Sequence, residues 1–292
     1  MKNRLLTRLI LIAFIGTLLF PTTGLAERVS NEETDTLHIT RWYKVYWLGM
    51  HVANLVTEVK EDDDGIFHME SHINSKGIAK KVSKFWNVTK SSTRKTAKGE
   101  FIPYQFDSIS RLRKKKRSIA INYVDSGTIE QETVTPPDNR HKRPAVENER
   151  KIGTFDPHTA VLVAHKQIKD ALDSCKKYFT VPIYDARRLS NLNFVMKGRK
   201  KLKYNDKVIS VVHVTLERDA VAGYTNNEKK RMKKENPVID LYLEDNHLML
   251  PVKVVANAPI GSATAILERQ CYDISSCETT PKSYAYVGSI PW

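Results

Sequence analysis

The chain has 292 residues, with 47 Lys and Arg against 33 Asp and Glu, a formal charge of +14 and three cysteines. That length holds one large domain or two small ones. Beyond residue 26 no stretch is long and apolar enough to cross a bilayer, which excludes a protein built on membrane-spanning helices.

Met1 to Ala26 reads as a signal peptide: Lys2, Arg4 and Arg8 precede an apolar run from Leu9 to Phe20, and Gly24 and Ala26 are placed for cleavage after Ala26. The alternative is an uncleaved anchor, but the apolar run is shorter than the ~20 residues that span a bilayer. No cysteine follows it, so the signal is not that of a lipoprotein. Losing Lys2, Arg4 and Arg8 lowers the charge from +14 to +11 and leaves a cationic protein expected in the periplasm. There the expected partners are anionic lipid, lipopolysaccharide or another acidic envelope component, and not nucleic acid. A surface that is merely solubilising is the bland alternative.

Glu27 to Thr36 is polar and aperiodic, a flexible leader. From Leu37 to Glu61 the β-branched and aromatic residues predict two strands, or one long strand bent at Gly49. The EDDDG run Glu61–Gly65 is a hairpin turn and not a calcium loop, since no ligand series follows at the required spacing. Ile66 to Ile73 alternates as the next strand. Lys76 to Trp86 puts Ile78, Ala79, Val82, Phe85 and Trp86 on one side and Lys76, Lys80, Lys81 and Lys84 on the other. This predicts a short amphipathic helix that either lies on an anionic membrane surface or closes one end of a sheet. Asn87-Val88-Thr89 matches a glycosylation triplet. Strand patterns over 88–98, 104–113, 117–124 and 128–134 make an antiparallel meander, and the proline-bearing segment 136–150 is a linker loop.

Gly153 to Arg188 holds the one long helical signal, which predicts that the rest of the chain is organised around it. Asp156 is the expected N-cap and Pro157 the first helical residue, while Ala160, Val161, Ala164, Ile168, Ala171 and Leu172 make one apolar stripe. The helix breaks near Ser174 and Cys175. Strands follow over 181–184, 192–204, 207–217, 238–244, 248–256 and 261–272. The prediction is a single β-rich domain over 37–272 with a C-terminal extension, 273–292.

The order of WLG, SKGIAKK, GEFIPYQF, FDPHTA, YDARR and LMLPVKV, from about Tyr43 to about Leu267, resembles the uncharacterised family known as domain of unknown function 3108. The resemblance implies an exported Gram-negative protein, mainly β. Its curved antiparallel sheet would form an open or spiral β-barrel around one central amphipathic helix, similar in shape to the lipoprotein carriers of the periplasm. The chain departs from the family in the basic insert from Asn226 to Lys234, the cysteines near the end and the extension to Trp292.

No catalytic signature is complete: GxSxG, HExxH, a P-loop and paired CxxC motifs are all missing, so neither an enzyme nor a cofactor is expected. His158 and His165 share a helix face and His68 and His72 a strand face, but without a carboxylate at helical metal spacing no metal site is expected. Asp185 with Arg187 and Arg188 is the sharpest polar constellation. It is either an arginine offered to an anionic ligand at the barrel mouth or a structural ion pair fixing strand to helix.

Three basic clusters fall mostly at expected turns or loops: Arg113, Lys114, Lys115 and Lys116; Lys200 and Lys201; and Lys229, Lys230, Arg231, Lys233 and Lys234. Gathered at one rim, they would bind anionic surfaces. Cys271 with Cys277 closes the shortest loop and is the favoured disulfide, with Cys175 the alternative partner for either. The expected function is a non-enzymatic periplasmic envelope protein that binds a lipid-like or anionic ligand through its concave sheet and basic rim. The alternative is a structural protein that binds another exported protein and supports envelope integrity.

Overall fold

The computed structural model describes residues 37–235, 237–257 and 261–272. The expected signal segment, leader, C-terminal extension and Cys277 lie outside them. Among the described residues thirteen strands run in chain order. The first seven are β1 (His38–Trp47), β2 (Met50–Glu61), β3 (Ile66–Ser75), β4 (Phe85–Lys95), β5 (Phe101–Leu112), β6 (Lys115–Tyr123) and β7 (Ile129–Thr135). They are followed by β8 (Tyr178–Tyr184), β9 (Leu189–Tyr204), β10 (Lys207–Ala222), β11 (Val238–Glu244), β12 (Pro251–Asn257) and β13 (Ser262–Cys271). Among the described residues three α-helices interrupt them: α1 (Gly77–Ser83), α2 (Pro157–Ser174) and α3 (Asn226–Glu235).

All strands join one antiparallel sheet in the order β7-β6-β5-β4-β3-β2-β1-β13-β12-β11-β10-β9-β8. Two hairpin-connected runs thus meet through the β1–β13 pair, and the sheet is open, with β7 and β8 as its edges. Because every neighbour is antiparallel, the connections alternate between two ends of the sheet. One end carries the β1–β2, β5–β6, β8–β9 and β12–β13 turns together with α1 and α3. The far end carries the β2–β3, β4–β5, β6–β7, β9–β10 and β11–β12 turns.

The first run after the leader is two strands, because Leu48 (φ 49°) and Gly49 (φ 77°) both take the left-handed region and close a tight two-residue turn. The expected hairpin turn after β2 is also present: the Asp62 carboxylate accepts from the backbone N–H of Asp64 (3.1 Å) and Ile66 (2.9 Å).

The apolar core runs along the inner face of the sheet through Tyr43, Leu55, Phe67, Val181, Phe194, Leu216, Leu241, Val254 and Ala265. Helix α2 adds Ala160, Val161, Leu162, Ala164, Ile168 and Ala171 to the same cluster, which accounts for its stripe. Burying one such aliphatic side chain stabilises by roughly 1.5–3 kcal/mol. The helix packs chiefly on β8, β4 and β5, so the organising element is the sheet and not the helix.

The inner face changes character on β4, where Asn87, Thr89, Ser91 and Thr93 are buried. The Thr89 and Thr93 hydroxyls and the Asn87 amide are hydrogen-bonded locally and to α2, as in Thr93 Oγ1 to Thr159 Oγ1 at 2.6 Å. Asn87 donates to Ser108 Oγ (3.0 Å) and the Ile109 carbonyl (3.2 Å), so the glycosylation triplet is a buried strand segment.

Several expectations are corrected. The insert around Asn226 is a helix, not a loop, whereas Lys197–Lys203 lies inside β9, within the strand expected over 192–204 and not at a turn. Helix α1 packs only Ala79 against the core and leaves Ile78 67% exposed and Val82 43%. No disulfide joins Cys175 to Cys271. Cys175 is an exposed thiol at the left-handed C-cap of α2 and Cys271 is buried on β13. The favoured Cys271–Cys277 pairing lies outside the described residues.

Candidate functional site

The Asp185–Arg188 segment is the β8–β9 turn, with Ala186 at φ 59°. Asp185 Oδ1 accepts the backbone N–H of Arg187 (3.1 Å) and Arg188 (2.7 Å), and its Oδ2 accepts from Arg188 Nε (3.2 Å). The Arg187 side chain turns the other way and makes a bidentate pair with Asp138, both contacts at 2.8 Å. Asp138, just past β7, also meets Arg117 (3.2 Å) and Arg143 (3.4 Å). Arg143, 5% exposed, donates to Glu228 (2.6 Å) and the Gly223 carbonyl (2.5 Å). Gly223 is confined to glycine, since a Cβ there would sit 2.2 Å from the Arg187 carbonyl oxygen.

Glu228 opens α3 as half of a capping box. The Thr225 backbone N–H donates to Glu228 Oε2 (2.9 Å), and the Glu228 N–H donates to Thr225 Oγ1 (3.2 Å). Arg188 and Arg218 both lie 5.9 Å from the Tyr224 ring centre, and Arg218 donates to Ser190 Oγ (2.9 Å).

Burial alone would raise the carboxyl pKa values here, but the arginines outweigh it. Hydrogen bonds and charge from Arg187, with Arg117 and Arg143, hold Asp138 down at about 2. Against the same burial, Arg143 and Arg188 hold Glu228 at about 2. Asp185 is also lowered against its burial, by Arg188 first. The arginines of the sequence constellation therefore face carboxylates of the chain itself, and the network ties β6, β8, β10, α3 and the segment after β7 together.

Beside it, the edge strands meet through side chains. Tyr184 on β8 donates to Glu132 on β7 (2.8 Å), and Lys151 bridges to Glu132 (3.0 Å) while lying 5.3 Å from the Tyr184 ring centre. This seam joins the two edges without a ladder of backbone hydrogen bonds.

The end of the sheet that carries the seam also carries two of the three basic clusters. Arg113, Lys114, Lys115 and Lys116 are exposed at the β5–β6 turn, and Lys229, Lys230, Lys233 and Lys234 are exposed on α3, with Arg231 half-buried. Lys200 and Lys201 are exposed on β9 towards the far end, so the middle cluster is separate. Helix α1 fills the space between the β5–β6 and β1–β2 turns. Arg113 donates its backbone N–H to the Ser83 carbonyl (3.0 Å) and its Nε to the Val82 carbonyl (3.3 Å), while the Lys76 N–H reaches the Val52 carbonyl (2.7 Å). Lys80, Lys81 and Lys84 are exposed there, and no ion pair joins them or residues 113–116 to a carboxylate among the described residues. Set among these cations are four exposed aliphatics, Leu48 (58%), Met50 (45%), Ile78 and Val82.

The histidines are dispersed. His158 reaches Ser71 Oγ (3.3 Å) and His165 the Leu248 carbonyl (3.0 Å), both buried, and burial lowers each pKa to about 3. His68 pairs with Asp62 and His72 with Glu70. Asp156, the N-cap of α2, is fully buried, and burial lifts its carboxyl to about 6. A cleft of about 330 Å³ on the outer face is lined by Glu58, Glu70, Lys90 and Asp107.

Fold and site together define a class: an open, curved, all-antiparallel sheet protein, sealed by a salt-bridge seam and strongly basic at one end. The chain belongs to the family of proteins of unknown function DUF3108, whose sequence model matches residues 43–268. Among solved structures it is similar to a beta-barrel-like protein of domain of unknown function DUF1849 from Brucella abortus, with 10% identity, TM-score 0.48, and coverage of 82% of this chain and 98% of that one. It is also similar to a candidate lipoprotein from Parabacteroides distasonis, with 8% identity, TM-score 0.33, and coverage of 86% and 100%. No curated protein matches the chain. No helix among the described residues is long and apolar enough to cross a membrane.

Proposed function

We propose that this is a non-enzymatic periplasmic protein that docks its basic end on an anionic envelope surface. The observation that carries the reading is the patch formed by the β1–β2 turn, α1 and the β5–β6 turn, where exposed aliphatics sit inside a field of unpaired lysines. Leu48 holds a left-handed backbone conformation, costly for a branched side chain, and still presents that side chain to solvent. A patch meant only for solubility would not need exposed Leu, Met, Ile and Val at its centre.

Each Lys or Arg close to an anionic membrane contributes about 1 kcal/mol, and partial insertion of the aliphatics adds to that. The sum suffices for reversible attachment. At physiological salt the screening length is about 8 Å, so the attachment is salt-sensitive.

Sedimentation with phosphatidylglycerol vesicles at low salt tests it. The expected result is binding that falls steeply by 0.5 M salt and is absent with phosphatidylcholine. Changing Lys80, Lys81, Lys84, Lys114, Lys115 and Lys116 together to Gln should lower the affinity at least about tenfold with an unchanged melting temperature. Wild-type protein that stays in the supernatant at low salt would overturn the proposal.

A further inference from the structure

The seam accounts for five arginines, but one more is buried elsewhere. Arg41 lies in β1 between Thr57 on β2 and Gln270 on β13, on the inward face with Ile39, Tyr43 and Val45. It is 0% exposed, and Nε, Nη1 and Nη2 have no hydrogen-bond partner among the described residues. Its one described contact is with the Tyr43 ring, at 5.2 Å from the centre.

The surroundings do not neutralise it. The hydroxyl protons of the two inward tyrosines are committed, Tyr43 to the Pro251 carbonyl (2.9 Å) and Tyr204 to the Leu267 carbonyl (2.8 Å). Glu244, at the end of β11, shares an electrostatic neighbourhood with Arg41 around Tyr43, Tyr204 and Tyr272 but makes no ion pair with it. A guanidinium cannot shed its proton to escape burial, and an uncompensated buried cation is strongly unfavourable. Its planar fork of N–H donors matches an oxyanion that presents two oxygens side by side.

We propose that Arg41 anchors an oxyanion-binding site on the concave face of the sheet, towards the end opposite the basic patch, for a carboxylate or phosphate group. The anion is either small and free or the head of an amphiphile. The inference deepens the view of the concave sheet as a ligand-binding surface and does not depend on vesicle docking, which is measured separately.

The test uses the mature chain stripped of small molecules by unfolding and refolding, with Arg41→Met and Arg41→Lys beside it. Melting is followed with acetate, inorganic phosphate, dodecanoate and dodecyl phosphate. Wild type should gain about 5 °C at saturation with at least one of these, Arg41→Met should gain none, and Arg41→Lys should need about tenfold more ligand. A gain with acetate or inorganic phosphate equal to that with the chain-bearing forms identifies a free anion, and a gain with the chain-bearing forms alone identifies a lipid head. Stripped Arg41→Met should melt no lower than stripped wild type, because it removes an unpaired buried charge. Should Arg41→Met fail to fold, the Arg41→Lys titration decides by itself. A wild type indifferent to all four anions, or an Arg41→Lys that responds like wild type, would overturn the site.

Discussion

Arg143 and Arg41 are buried to nearly the same degree and have opposite surroundings. Arg143 shares Asp138 with Arg117 and Arg187 and takes Glu228 as well, whereas Arg41 has a tyrosine face and, among the described residues, no carboxylate within ion-pairing distance. The seam shows that this chain supplies carboxylates where an arginine closes the structure. Leaving one arginine without such a partner marks the β1 interior as a place of a different kind.

The comparison can be broken in three ways. The largest effect is expected from Asp138→Ala, which takes the carboxylate from Arg117 and Arg187 and leaves Arg143 with Glu228 alone. It should cost about 3–5 kcal/mol in urea unfolding, and a loss below about 1 kcal/mol would show that the seam is a solvated surface network.

Acidification separates the regions next. Asp138 and Glu228 have folded pKa values depressed to about 2, so their stabilisation is present above the ordinary carboxylate range and lost as pH falls from about 4 to 2. His158 and His165, depressed from 6.5 to about 3, lose theirs as pH falls below 6.5. Asp156 runs the other way: its folded value, raised from 3.8 to about 6, relieves a cost as pH falls through 6. Two histidines against one aspartate give a melting temperature that declines from pH 7 to 5 and drops further below 4. Asp138→Ala should flatten only the lower limb, and melting curves at pH 7, 5 and 3 check this.

The smallest effect is expected from Glu244→Gln beside Arg41, within about 0.5 kcal/mol of wild type in the same urea assay. A loss comparable to that of Asp138→Ala would make Glu244 the seam-type counter-ion that Arg41 otherwise lacks.

Much of the fold was legible in the residues. Asp156 and Pro157 start α2 where the capping rule puts them, with Asp156 accepting the backbone N–H of His158 (2.9 Å) and Thr159 (3.1 Å). Alternating β-branched residues gave the meander. Helix α3 has almost no apolar residue and so no apolar stripe, and its one local sequence signal is the capping-box pattern Thr225-Asn226-Asn227-Glu228.

The seam was half visible. Asp185, Arg187 and Arg188 stood out as a motif, but their partners Asp138, Arg143 and Glu228 lie about 40 to 50 residues away, and no local pattern links them. Alternation puts Arg41 on one face with Ile39, Tyr43 and Val45, but no local pattern shows that the strands beside it bring it no carboxylate. The exposed face of α1 misled for the same reason: helical spacing groups Ile78 with Val82 but does not say which way the group points.

One feature of the β8 edge bears on how the molecule lives in a crowded compartment. The backbone at Phe155 runs beside that edge, donating to the Pro182 carbonyl (3.1 Å) and accepting from the Tyr184 N–H (2.8 Å). Pro182 itself offers no N–H on the outward side. A foreign strand approaching β8 therefore finds one rung occupied and the next lacking its donor. An open sheet of thirteen strands would otherwise be a template for end-to-end strand addition and fibril growth. At this edge the chain carries its own stopper, so the sheet can stay unclosed without inviting copies of itself to extend it.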